Sequence, residues 1–168
     1  MELIDKIKMS VKDLDLFYGD KQALKKINMD IKENKVTALI GPSGCGKSTF
    51  IRTLNRMNDL IEDVTIKGNI SVDGEDIYTS DDVINLRTKV GMVFQESRLM
   101  PWLNVSENIL LHTEKDNRNK VDLDKYLKMM KLEKFKNSYP NELSGGMAHR
   151  VSIARALSFN PDILLMDE

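Results

Sequence analysis

The chain has 168 residues, 41% of them hydrophobic and 30% charged, a length and balance that suit a soluble globular domain with a core of its own. A formal net charge of -1 gives no overall basic field to draw the protein to nucleic acid or anionic lipid, so any anion binding must be local. The single cysteine, Cys45, excludes an intramolecular disulfide, and apolar runs such as residues 36–40 and 163–166 fall far short of the roughly 20 residues needed to cross a bilayer.

The N-terminal MELIDKIKMS is charged and lacks the apolar stretch of a secretory signal. Residues 7–17 and 23–31 alternate partially and are predicted as strands, with Tyr18-Gly19-Asp20 as the turn between them. Residues 35–40 (KVTALI) form a short apolar run that predicts a buried parallel strand. Residues 47–58 place Phe50, Ile51, Leu54 and Met57 at helical spacing. Residues 69–72 and 76–78 flank Asp73-Gly74, a hairpin signal. Asp81-Asp82 is the predicted start of a helix through about Arg87, and residues 90–94 read as another apolar strand.

After Gln95 the pattern turns helical, over residues 106–112, 122–132 and 144–159. Ser106 with Glu107, and Asp122, supply helix-start chemistry, and Pro161 stops the last helix. Residues 163–166 (ILLM) return to a buried-type strand that ends on Asp167-Glu168. Strand, helix, strand, helical insert and strand predict an α/β fold with a mainly parallel core.

The segment GPSGCGKST follows one predicted strand and opens a helix, and residues 41–48 satisfy G-x-x-x-x-G-K-[ST]. Gly41, Gly44 and Gly46 let successive N–H groups turn inward as an anion nest, and Ser43 and Cys45 complete the loop. A helix N-terminus adds partial positive charge, which suits phosphate. Lys47 is placed to set an ammonium between β- and γ-phosphates, Ser48 to give a hydroxyl oxygen to Mg2+, and Thr49 to support the α-phosphate region. Cys45 is small enough for the loop, and an adduct on its thiol would fill the phosphate position. With such a loop upstream, the terminal carboxylate pair gains a role: Asp167 as a water-mediated magnesium ligand and Glu168 as the group that polarises attacking water.

LSGGMAHR, residues 143–150, stands between these two motifs. The three in this order resemble the phosphate loop, signature and acidic pair of the ABC ATPase family, from about Met9 to Glu168. That resemblance implies a P-loop NTPase core with a mainly parallel sheet and an antiparallel β subdomain (1–95), a helical subdomain (96–143), and a return to the core through the signature helix and acidic-pair strand (144–168). It implies ATP and Mg2+ as ligands, and a head-to-tail homodimer in which Ser144, Gly145 and Gly146 cover the partner's ATP. Tyr18, in competition with Phe17, falls where an aromatic stacks on adenine. Gln95 falls at the glutamine that senses magnesium and attacking water, and thus beside Ser48 and Asp167 as a metal ligand. The helical subdomain implies a groove for a transmembrane permease subunit, hence a peripheral place on the cytoplasmic face of the membrane, with membrane contact only through partners. An ABC-type ATPase of DNA repair would need a long coiled coil or zinc-bearing insert, which the cysteine-free interval 96–142 lacks. A simple kinase would leave residues 143–146 without a role.

VTALIGPSGCGKSTFIRTLNRMNDLI and GNISVDGEDIY resemble phosphate-importer ATPases, whereas VFQESRLMPWLNVSENI and LSGGMAHRVSIARAL are more similar to the nitrate, sulfonate and taurine importer group. Both imply an ATP-hydrolysing importer subunit for a small anion, phosphate first. Met147 stands where the commonest signature has Gln. His112 and His149 do not match the family's switch histidine and are expected to be surface or helix-packing residues. Relatives continue past the position of Glu168 with a core strand lying between the phosphate-loop and acidic-pair strands. Direct pairing of those two strands, filling by another chain, and a truncated or recombined segment of a longer ATPase are the open alternatives. ATP binding is expected to survive in this form better than hydrolysis.

Overall fold

In a computed structural model of the chain, the described residues are 6–79, 82–113 and 121–167. They divide into two units, Met1–Leu86 and Arg87–Glu168.

The first unit is built on the hairpin of β1 (Ile7–Tyr18) and β2 (Lys21–Lys32), joined by a two-residue turn in which Gly19 has φ 54°. β3 (Val64–Val72) pairs antiparallel with β1, and the short β4 (Glu75–Asp76) with β3, giving the order β2-β1-β3-β4. Asp73 and Gly74 both take positive φ, 52° and 86°, as the tight turn of an Asp-Gly hairpin requires. The alternation along β1 is only partial because the strand bulges. Met9 and Val11 point inward, Asp13 takes φ 46°, and the inward set resumes at Leu14 and Leu16. Asn28 satisfies the bulge: its Oδ1 accepts from the Asp13 N–H at 3.0 Å and its Nδ2 donates to the Lys26 carbonyl at 3.1 Å.

The helix α1 (Lys47–Thr53) lies against β2, with Phe50 and Leu54 buried. It stops well before the predicted end at residue 58, because Arg56 adopts the left-handed conformation, φ 60°. That unusual residue is held by its surroundings: Arg56 Nε donates to Asp59 Oδ2 at 2.8 Å, and its guanidinium stands 4.8 Å from the Tyr78 ring centroid. Burial, and then the Asp59 carboxylate, push the Tyr78 hydroxyl well above its ordinary range.

A single 3-10 turn, Asn58–Leu60, follows. Asn58 is 1% exposed, and its Nδ2 donates both to the Thr49 carbonyl (2.8 Å) and to Thr53 Oγ1 (2.7 Å). Thr53 Oγ1 in turn donates to the same Thr49 carbonyl at 2.7 Å. Asn58 therefore fastens the first turn of α1 from behind. Asn58→Ala is expected to cost about 1–2 kcal/mol, and Asn58→Asp about 3 kcal/mol at neutral pH, since a carboxylate would face two oxygens where an amide now donates. Denaturant unfolding checks this. The gap should narrow as pH falls, because a protonated carboxyl can donate again.

Residues 35–40 correct the sequence reading. They stand in neither sheet, and Val36 and Ile40 are 98% and 96% exposed. An extended run has no hydrogen bonds of its own. With no ladder beside it among the described residues, such a run is less costly exposed, where water can reach its backbone, than buried with unpaired groups.

The helix α2 (Val83–Lys89) carries the chain into the second unit; Asp82 Oδ1 accepts from the Asn85 N–H at 2.9 Å, and Asp81 lies outside the described residues. There β5 (Val90–Val93) pairs in parallel with β6 (Ile163–Met166). Among the described residues, the parallel part of the fold consists of these two strands. Gly91 allows Pro161 to pack close: a Cβ there would meet the proline ring at 3.2 Å.

Among the described residues three α-helices follow β5: α3 (Val105–Ile109), α4 (Leu123–Met130) and α5 (Gly145–Ser158). They meet through Val105, Ile109, Leu127, Leu132, Val151 and Ala154. Asp122 caps α4 and Ser144 caps α5 as their sequences predict. The cap of α3 is Asn104, not Ser106: Glu107 N–H donates to Asn104 Oδ1 and Asn104 N–H donates to Glu107 Oε2, both at 2.9 Å. Among the described residues no helix is long and apolar enough to cross a membrane.

Candidate functional site

The glycine-rich loop runs from Gly41 into α1. Gly44 and Gly46 have φ 78° and 99°, conformations that a side chain opposes, and Gly46 leads the helix with no side-chain cap. The N–H groups of the first helical residues, Lys47, Ser48 and Thr49, precede the first intrahelical bond, from Phe50 N–H to the Gly46 carbonyl at 2.8 Å. Gly41, Pro42, Ser43, Gly44 and Cys45 are exposed, as is Ser48, so the concavity opens to solvent. Lys47 reaches back over the loop: its ammonium donates to the carbonyls of Gly41 (2.8 Å) and Pro42 (2.9 Å) and lies 3.6 Å from Cys45 Sγ. A cation held at the mouth by exposed carbonyls can exchange them for phosphate oxygens without moving its stem. Cys45 Sγ lies close to Gly41: a Cβ there would stand 2.7 Å from the sulfur, a contact that a turn of the cysteine side chain can relieve.

Gly46 touches β2: a Cβ there would meet Leu24 Cδ2 at 3.0 Å. Leu24 pairs with Leu16, and the unbroken pairing of residues 15–18 with β3 keeps β1 alternating there, which puts Tyr18 on the same sheet face as Leu16. Phe17 points to the opposite face, where Lys67 Nζ stands 5.7 Å from its ring centroid. Of the two aromatics, Tyr18 is the one that shares a face with the loop contact.

In the second unit, Gln95 and Asp167 leave the same end of the parallel pair. Val93 pairs with Met166, and the Asp167 N–H donates to the Val93 carbonyl at 3.0 Å. This is the carboxyl end of parallel strands, where α/β sheets bind ligands. Gln95 is exposed, and Asp167 is buried to 4% exposure. Glu168 lies outside the described residues. Ser48 in the first unit, and Gln95 and Asp167 in the second, each carry a hard oxygen, the ligand type Mg2+ prefers.

Ser144, Gly145 and Gly146 are exposed at the start of α5. Ser144 Oγ accepts from the Met147 N–H at 3.3 Å, and Gly145 and Gly146, at the first helical positions, have no intrahelical acceptor. A Cβ added at either glycine would meet nothing within 4 Å. Nothing in the described chain demands glycine there. Met147 packs against the helical core, which accounts for an apolar residue at that position.

His112 is a packing residue. Its ring stacks on Phe159 with centroids 3.6 Å apart, and burial holds its pKa below the ordinary histidine range. His149 lies part-buried on α5. Three residues escaped the sequence reading: Asn58, which fastens α1; Arg155 of α5, which binds the turn that follows Gln95; and Asn104, the cap of α3. Of these only Asn104, in an N-x-x-E pattern, carried a local signal.

The family model described as ABC transporter matches residues 24–168. The chain is similar to cbiO1 from Clostridium perfringens, described as part of the ABC transporter complex cbiONQ, with 32% identity over 98% of this chain and 66% of that one, and a TM-score of 0.82. It thus spans just under two thirds of that relative's length. The ATP-binding cassette MJ0796, as a dimer in a post-hydrolysis state bound to ADP and Pi, matches with 34% identity over 95% of this chain and 73% of that one, TM-score 0.79. A second dimeric structure of MJ0796, described as a bacterial ABC transporter cassette, has the same identity and coverage and a TM-score of 0.80. With a P-loop NTPase-like mixed fold, an open glycine-rich loop at a helix start and a family match over most of its length, the chain belongs to the ABC transporter family as an ATP-binding domain.

Proposed function

We propose that this chain binds MgATP through residues 41–49 and serves as the energising part of an importer for a small anion, phosphate first. The observation that carries the binding is the solvent-open loop with left-handed Gly44 and Gly46, an uncapped helix start, and an ammonium held at its mouth. Lys47 and the loop amides take the β- and γ-phosphates, Thr49 supports the α-phosphate region, and Tyr18 stacks on the base. Ser48, Gln95 and Asp167 are the assigned oxygen donors to Mg2+, which neutralises developing charge on the phosphates. Glu168 is assigned to polarise water.

The anion assignment rests on the likeness of residues 36–61 and 68–78 to phosphate-importer ATPases. Loss of phosphate uptake in cells lacking this chain, with nitrate and sulfonate uptake intact, is the expected result. The reverse pattern would assign the solute to the other group. Permease subunits at the cytoplasmic face are the partners of this reading, and the helical segment 96–143 is the surface assigned to them.

The signature at Ser144, Gly145 and Gly146 is assigned to the partner's nucleotide in a head-to-tail dimer. Open space around both glycines supports this, since their small size serves nothing in the described chain itself. Two variants test it. Glu168→Gln is expected to form a dimer in MgATP, seen by sedimentation. Adding Gly145→Val is expected to leave folding within about 0.5 kcal/mol of the parent, as for an exposed site without strain, while abolishing that dimer. A dimer that persists when Gly145→Val is added would remove the signature from the interface.

A second reading, nucleotide binding without turnover, is favoured by residues 35–40, which lead into the loop largely exposed and outside both sheets. Catalysis here depends on fixed positioning, and a loop entered from a solvated segment is held from one side only. Equal ATP affinity with phosphate release far below about 1 s⁻¹, the lower end of ordinary turnover, would establish this reading for the 168-residue chain.

A further inference from the structure

Arg155, near the end of α5, spends its guanidinium on a distant loop. One Nη donates to the carbonyl of Arg98 and the other to the carbonyl of Ser97, each at 3.1 Å, across 57 and 58 residues of sequence. Those carbonyls lie just beyond Gln95. The same turn is closed from its other side: Arg98 takes φ 44°, and its guanidinium stands 4.3 Å from the centroid of the Phe94 ring. Phe94 and Arg98 thus bracket residues 95–97 and leave the Gln95 side chain exposed.

Among the described residues, Arg155 has no carboxylate partner. Burial lowers its pKa from the ordinary arginine value. A partly desolvated cation satisfied only by two main-chain carbonyls resists any motion that would separate them, since the alternative is a buried, unpaired charge. The planar fork of a guanidinium suits two neighbouring acceptors at once, which a lysine ammonium cannot reproduce.

We propose that Arg155 is a positioning residue that ties the Gln95 turn to the signature helix, so that Gln95 moves with α5 and keeps its amide set for the magnesium side of the nucleotide. This rests on the reading of Gln95 given above. It assigns a coupling role to a residue that touches neither nucleotide nor metal.

The test is a Mg2+ titration at fixed ATP for the parent chain, Arg155→Lys, Gln95→Ala and the double variant. The readout is the emission of Trp102, the single tryptophan, which is 70% exposed and follows the turn. Hydrogen exchange at residues 95–98 gives a second readout. Each single variant is expected to raise the half-effective Mg2+ concentration about tenfold, the usual effect of removing an outer support of a metal ligand, and the double variant no further. Arg155→Lys should also speed exchange at residues 95–98 while ATP binding without Mg2+ stays within about twofold. Where Arg155→Lys does not fold, Arg155→Gln, which keeps one donor, takes its place.

If Gln95→Ala leaves the Mg2+ dependence unchanged, the reading of Gln95 fails and the proposal falls with it. If Gln95→Ala shifts it and the folded Arg155 variant does not, or if the two effects add in the double variant, the coupling alone is overturned.

Discussion

Lys47→Ala is expected to weaken ATP binding by about 100-fold, the loss of roughly two charge-assisted hydrogen bonds to phosphate, with little change in folding stability. The ammonium is already gathered at the loop by the Gly41 and Pro42 carbonyls at 2.8 and 2.9 Å. It therefore costs little reorganisation to meet a phosphate, and its removal leaves two exposed carbonyls that water can satisfy. Stability should change by no more than about 0.5 kcal/mol, as for other exposed substitutions. Calorimetric titration with ATP, alongside denaturant unfolding, separates the two effects. Lys47→Arg is expected to recover only part of the affinity, because a planar fork cannot occupy the small space of a point charge. Undiminished affinity in Lys47→Ala would place the nucleotide elsewhere and remove the basis of the proposed function.

Gly68→Ala is expected to be the most damaging single substitution for the fold, at about 3–5 kcal/mol, or on the order of 10 °C in Tm. Gly68 sits in β3 opposite the β1 bulge with φ 103°. A Cβ there would lie 2.5 Å from the Asp13 carbonyl oxygen and 2.7 Å from the Lys12 carbonyl oxygen. These are main-chain atoms at a bulge pinned by Asn28, so neither can swing aside. Gly74→Ala is the control. It has φ 86° but open space around it, and should cost only about 1 kcal/mol, the conformational term alone. A thermal scan of both variants checks the contrast. Equal losses would mean that backbone conformation, not the close approach of β1, makes glycine necessary at 68. Sheet damage of this size would also reach the loop, because Gly46 leans on Leu24 of the same sheet.

What the sequence by itself determined is what a few neighbouring residues can enforce. The phosphate loop, the Asp73-Gly74 turn, the caps at Asp122 and Ser144 and the stop before Pro161 all arise from contacts within one turn, so their residue types sufficed. Order of motifs carried the family, because three specific segments at fixed spacing leave few alternatives. Tertiary structure decided the rest. Residues 35–40 have a strand's composition but no ladder beside them, and a strand exists only through its neighbour. The bulge at Asp13 reset the inward face of β1, and α1 ended early because Asp59 and Tyr78 hold Arg56 in a left-handed turn. Which sheet face Tyr18 and Phe17 each present was legible only once strand pairing was fixed. Arg155 could not be read at all: its two acceptors lie 57 and 58 residues away and are backbone carbonyls, which every residue possesses and no sequence pattern distinguishes.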